Sequence, residues 1–143
     1  MSSSLRSVGA ILAAFVAACA IMMTVESLNG KVFYPELGRA AEGVTDPAVV
    51  RQLMASAPTG ALLVVLIGWA IASVAAGYLA ARLADRSPMG HALTIGGILT
   101  ACGILNNLML PPPVWFWIVS LLAFLPTAWL GGRLVPPAAP ASR

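Results

Sequence analysis

One carboxylate, two adjacent amides and a set of indoles are the side chains in this 143-residue sequence whose types and placement could act together. Glu26 closes an apolar run from Ser7 to Val25 that holds no charge. Asn106 and Asn107 stand near the end of a later apolar run, just before Pro111, Pro112 and Pro113, and Trp115 and Trp117 open the next. At about 1.5 Å per helical residue, all of these fall at nearly one depth of a helical bundle. A carboxylate flanked by amides and indole donors can hold a cation, a proton or a polar headgroup, and an ionisable group at the edge of an intramembrane segment is a functional hypothesis by default. The plainer reading puts Glu26 in the headgroup zone, pairing with Lys31 or capping nearby amides, while the two Asn end their helix. Trp69 lies well inside another apolar run, where it either packs with its N–H satisfied or lines a cavity.

The remaining reactive side chains form weaker sets. His91 is the single histidine; it sits at the far end of its run from Asn106, too distant in depth to serve Glu26 as an acid–base partner, and polar capping is its simplest role. Cys19 and Cys102 fall at matching depths with Met22, Met23 and Met109 to one side of them. Soft ligands at one level suit copper(I), yet Cys and Met are also ordinary residues of an apolar core, and no CxxC or MxxM pair supplies a local bite. There is no phosphate-binding glycine loop, no HExxH and no GxSxG. The expectation is a non-enzymatic chain without metal or cofactor.

The elements that must position these residues follow from composition. Apolar residues make up 59% of the chain and charged ones 9%, against about 25% charged in a soluble domain, and the mean hydropathy is +0.91. A water-soluble enzyme, a disordered chain and a disulfide scaffold are all excluded by these values. Runs of about 20 apolar residues suffice to cross the hydrocarbon core, and four occur, at about 7–26, 60–82, 89–110 and 114–132, leaving a loop at 27–59 and a tail at 133–143. The fold expected is a single all-α membrane domain, a four-helix transmembrane bundle. Arg6, Arg82, Arg86, Arg133 and Arg143 fall on one side of it, while Lys31, Arg39 and Arg51 lie in the loop among Glu36, Glu42 and Asp46. The positive-inside rule then makes both termini cytoplasmic. Tyr78 and Trp129 at one interface and Trp115 and Trp117 at the other agree with that depth scale. Val16-Ala17-Ala18-Cys19 has the form of a lipoprotein cleavage box, but the apolar run continues to Val25, as a retained span requires.

Small residues at every fourth position let membrane helices approach closely. Gly68, Ala72, Ala76 and Ala80 form one such row with Gly77 beside it; Gly96 and Gly103 form another, with Gly97 on a neighbouring side, and Ala10, Ala13, Ala14, Ala17 and Ala18 mark the first span. These positions are expected to hold one bundle together, with room for an oligomer. Pro126 interrupts the backbone bonding of the fourth span. In the loop, Thr45-Asp46-Pro47 is a helix start, followed to about residue 57 by an amphipathic face of Val49, Val50, Leu53, Met54 and Ala57. Residues 29–35 read as a turn followed by the aromatic pair Phe33 and Tyr34.

Glu26 with Tyr34-Pro35, Trp69 with Gly77 and Ala80-Ala81-Arg82, Asn106 before the triple proline, and Trp115-Phe116-Trp117 together resemble a family of small, uncharacterised bacterial four-span inner-membrane proteins. The resemblance covers most of the chain and implies the four-span fold but no activity. Small multidrug exporters carry a Glu in their first span, deep in the membrane, whereas Glu26 lies at the end of its span; the spaced Asn and Phe pattern of fluoride channels does not occur here. The expected partners are the lipid bilayer and another membrane protein or a second copy of the chain, with no nucleic acid. Two functions fit: an accessory bundle that binds lipid or a protein partner, and a small oligomeric transporter or channel with an outer polar site at Glu26, Asn106 and Asn107.

Overall fold

The computed structural model describes residues 3–136; Arg143 and the rest of the expected tail beyond Pro136 lie outside the described residues. Among these residues there are helices and no strand. The four long ones, each apolar enough to cross a membrane, are α1 (Ser3–Leu28), α4 (Thr59–Leu83), α5 (Pro88–Met109) and α6 (Val114–Arg133). Two short helices, α2 (Pro35–Ala41) and α3 (Pro47–Ser56), lie in the connection between α1 and α4. This connection and the triple proline between α5 and α6 define the loop end of the bundle. The amino terminus of α1, the α4–α5 turn and the close of α6 define the other.

α4 is the central helix, packing along α1, α5 and α6; α1 meets α5 only sparsely and makes no close backbone approach to α6. The alanine rows explain the α1–α4 contact. Ala14 and Ala18 of α1 and Ala72, Ala76 and Ala80 of α4 are fully enclosed in one core cluster, and in an apolar medium such close approach substitutes for a hydrophobic drive. Arg6 Nη1 also meets Asp85 Oδ1 at 2.7 Å, tying the start of α1 to the α4–α5 turn.

α4 and α6 cross backbone to backbone. A Cβ on Gly77 would fall on the Ala128 carbonyl oxygen, and one on Gly131 would fall on the Val74 carbonyl oxygen. Gly131 and Gly132, which look in the sequence like the stop of the fourth span, are therefore packing residues inside α6, with Gly132 set against Ala92 and Met89 of α5. Gly96 and Gly103 face Ala128 and Phe124 of α6, and Gly68 faces Val25 of α1. Gly97 departs from expectation: it is exposed, and a Cβ there would meet nothing within 4 Å. It belongs to the outward face of α5. Ser73 Oγ donates to the Phe124 carbonyl at 2.9 Å, adding a polar tie beside the α4–α6 crossing.

The loop differs most from its reading. Residues 29–35 are not a simple turn, since α1 continues through a π-helical turn over Asn29–Phe33. Asn29 is buried there and donates through Nδ2 to the Ala61 carbonyl at 3.1 Å, so a tertiary bond to α4 holds a backbone form that local propensity does not favour. α2 then folds back on this turn, with Gly38 against the Gly30 backbone. α3 begins as its cap implies: Asp46 accepts from the Ala48 N–H at 2.8 Å, with Pro47 in the first turn. Val50, Leu53, Met54 and Ala57 are half-buried, whereas Val49 is exposed.

The glycine crossing yields a direct test. Gly131→Ala is expected to lower bundle stability by about 1–3 kcal/mol, because the added methyl meets rigid backbone. Gly97→Ala, facing open space, should leave stability within about 0.5 kcal/mol. Unfolding of both variants in mixed micelles measures the difference.

Candidate functional site

At the loop end, the residues that fill the space between α4 and α6 change from glycine and alanine to aromatics. Trp69 is buried at 6% exposure and packs edge-on against Phe116, with ring centroids 5.6 Å apart and planes at 71°. It stacks on Phe124 with the same separation at 25°. Such a ring has one polar atom, and its Nε1–H donates to Glu26 Oε1 at 2.8 Å. The two roles open to Trp69 are thus filled together, a satisfied donor within the core and a cavity wall. Glu26 makes no ion pair among the described residues, with Lys31 or any other cation.

Glu26 borders three cavities. The central one, about 310 Å³, lies under the connection between α1 and α4. Its polar border is Glu26, Asn29, Asn106 and Asn107; Leu37 of α2, Met54 of α3, Leu62 and Val65 of α4 and Phe116 of α6 give it apolar walls. A second, more open cavity of about 490 Å³ shares Glu26, Gly30, Gly38 and Ala41 with it and adds Lys31, Arg39 and Glu42. The third, about 200 Å³, follows the sparse α1–α5 seam past Cys19, Met22 and Cys102. The two thiols, free in the structure, are thereby brought to one cavity with Glu26 and Trp69. No group of three or more His, Cys, Asp or Glu side chains among the described residues is arranged to hold a metal ion.

Asn107 is the deepest polar residue of the site, with no exposure. Ser120 Oγ donates to the Trp117 carbonyl at 3.2 Å and accepts from Asn107 Nδ2 at 3.2 Å. Because the hydroxyl proton is committed to Trp117, the Asn107 side chain has to present its N–H to Ser120, which leaves Oδ1 facing elsewhere. That oxygen is buried without a partner, and so is Asn29 Oδ1. Buried acceptors of this kind are uncommon and call for an explanation. Asn106 is half-buried and borders both the central and the seam cavity, while its backbone carbonyl accepts from the Leu110 N–H at 2.8 Å as α5 ends.

Of the residues grouped by depth, the structure brings Glu26, Asn106 and Asn107 together, and it adds Trp69, which stood apart from that group. Trp115 and Trp117 it does not: neither ring borders the three cavities. Trp115 is exposed and lies edge-on to Phe116 at 5.8 Å, and Trp117 contributes only its carbonyl. Asn29 is the member that sequence reasoning missed, having been read as part of a turn. His91 lies in a different place, bordering a cavity with Ser7, Val8 and Thr94, and its Nδ1 donates to the Ser87 carbonyl at 3.1 Å, a capping bond.

The indole–carboxylate pair should show as an energetic coupling. Glu26→Leu leaves a buried N–H unpaired and is expected to destabilise the bundle by about 1–3 kcal/mol. In a Trp69→Phe background the same change should cost at least about 1 kcal/mol less, a double-mutant cycle readable by unfolding in mixed micelles. No family model, curated protein or solved structure matches this chain, so its function is argued from the chemistry of the site itself.

Proposed function

We propose that this chain is a non-enzymatic accessory protein of the bacterial inner membrane that binds a polar-headed amphiphile in the cavity at its loop end. One observation carries the reading: a single cavity combines a carboxylate and two buried, unpartnered amide oxygens with apolar walls from α2, α3, α4 and α6. A polar head can satisfy the oxygens while its apolar part lies against Leu37, Met54 and Val65. Membrane ligand sites have this mixed character, mostly apolar with a few placed polar groups. The short helices α2 and α3 roof the cavity. In this reading the loop end faces outward and both termini are cytoplasmic, since Arg6, Arg82, Arg86 and Arg133 gather at the other end.

A second reading, a small oligomeric transporter, draws on the seam cavity, which continues from Glu26 between α1 and α5 toward the membrane interior. Glu26, Asn106 and Asn107 would then form the outer end of a path. Flux decides between the two. A solute or ion current in proteoliposomes that Glu26→Gln abolishes would replace the accessory reading with this one.

Two outcomes are expected of the leading proposal. Native mass spectrometry of the protein extracted in mild detergent should show a stoichiometric retained amphiphile, and Val65→Phe, which fills the central cavity, should remove it; retention of none, or retention unaffected by the filling, overturns the proposal. For orientation, in a background of Cys19→Ala and Cys102→Ala, a membrane-impermeant thiol reagent should label Glu42→Cys on intact cells. Ser87→Cys should react only after permeabilisation, and the opposite pattern would invert the topology.

A further inference from the structure

We infer that the loop-end cavity selects a phospholipid whose headgroup ends in a primary ammonium, the ammonium held among Glu26, Asn29 and Asn107 and the phosphate beside Lys31. This rests on the amphiphile-binding reading above and specifies the headgroup. The buried polar atoms without partners among the described residues are both acceptors, Asn29 Oδ1 and Asn107 Oδ1. Both residues border the central cavity, and Glu26 adds a carboxylate whose second oxygen has no partner among the described residues. Three acceptors with net negative charge around one cavity call for a positively charged donor.

An alkylammonium carries three N–H donors, one for each acceptor. A quaternary ammonium has the charge but no N–H, so it would leave the two amide oxygens unpaired and costly. A hard metal ion fits worse. Calcium takes about six to eight oxygen ligands, and the rest of the cavity wall is Leu37, Met54, Leu62, Val65 and aromatic rings.

The adjoining, more open cavity supplies the other half of a zwitterion. It shares Glu26, Gly30, Gly38 and Ala41 with the central cavity and is bordered by Lys31 and Arg39. Arg39 is paired with Glu36, whereas Lys31 makes no ion pair among the described residues and is exposed. Acceptors inside and an unpaired cation outside match an ethanolamine-type head, ammonium inward and phosphate outward. A serine-type head shares the ammonium but adds a carboxylate, which would face Glu26 and Glu42. An anionic glycerol-type head has no cation for Glu26 at all.

The test uses the full-length protein in nanodiscs of equimolar phosphatidylethanolamine and phosphatidylcholine, with retained lipid read by native mass spectrometry. Phosphatidylethanolamine should be retained over phosphatidylcholine by about tenfold or more, the scale of one charge-assisted hydrogen bond. Glu26→Gln keeps an oxygen acceptor for the Trp69 indole and so preserves the fold, but it removes the charge that holds either ammonium head and should lower retention of phosphatidylethanolamine by about tenfold or more. Lys31→Gln, on an exposed residue without an ion pair, should weaken retention of phosphatidylethanolamine while leaving competition by added dodecylamine unchanged. If dodecylamine displaces the lipid and Lys31→Gln alters nothing, the phosphate assignment falls and a free alkylamine becomes the occupant. Equal retention of both lipids, or retention of phosphatidylethanolamine that Glu26→Gln does not weaken, overturns the headgroup inference while the amphiphile-binding reading stands; no retained lipid at all overturns both.

Discussion

A buried indole N–H in a membrane bundle has to find an acceptor, because neither lipid nor a packed apolar core supplies one. At Trp69 that requirement organises the loop end. The ring is too large for the small-residue row on which it stands, so Phe116 and Phe124 pack around it where glycine would otherwise let α4 and α6 touch. The space so created must be closed at its polar corner, and the Glu26 carboxylate does so from α1. Through one hydrogen bond the end of α1 is fixed to the interior of α4, and with it the start of the π-helical turn that carries Asn29. The cavity is thus a by-product of burying a large polar-tipped ring in a helix built otherwise for close approach.

This arrangement also explains why the site combines strict and loose parts. The Asn107–Ser120–Trp117 chain is enclosed and fixes the orientation of its amide. The roof is different: α2 and α3 carry no fully buried residue, and α3 contributes a half-buried apolar edge alone. A rigid floor of acceptors under a lightly attached cover is suited to admitting and retaining a ligand, since elements with few buried contacts open at low free-energy cost.

Much of this was legible in the sequence, for identifiable reasons. The four long helices announce themselves through uninterrupted apolar runs, and the Asp46-Pro47 start of α3 through cap chemistry. Depth counting placed Glu26 with Asn106 and Asn107, because rise per residue is uniform along helices that all cross the same thickness. It failed for Trp115 and Trp117, since depth says nothing of azimuth: their rings share the level of the site but not its direction. Asn29 was hidden for a related reason. A π-helical turn has no local propensity signal, and Asn-Gly reads as a turn unless the Ala61 carbonyl is known to lie opposite. α2 has no such signal either: it is seven residues long with no buried side chain, and its Gly38 rests on the Gly30 backbone. Gly131 and Gly132 mark the end of the fourth span, as α6 does by closing at Arg133, and they are packing points as well.

The unequal sharing of contacts has a consequence for how the chain assembles during synthesis. α1 precedes α4, α5 and α6 in the sequence, yet nearly all its packing is with α4, and the Glu26–Trp69 bond spans 43 residues of sequence. It must therefore wait in the bilayer as a lone helix until the connection and all of α4 have followed it. α4, α5 and α6, joined by short turns, can meet as soon as they are inserted. Among these four helices the order of synthesis and the order of docking are then opposite for α1: the earliest of them is the last to find its place, and the cavity forms only when it does.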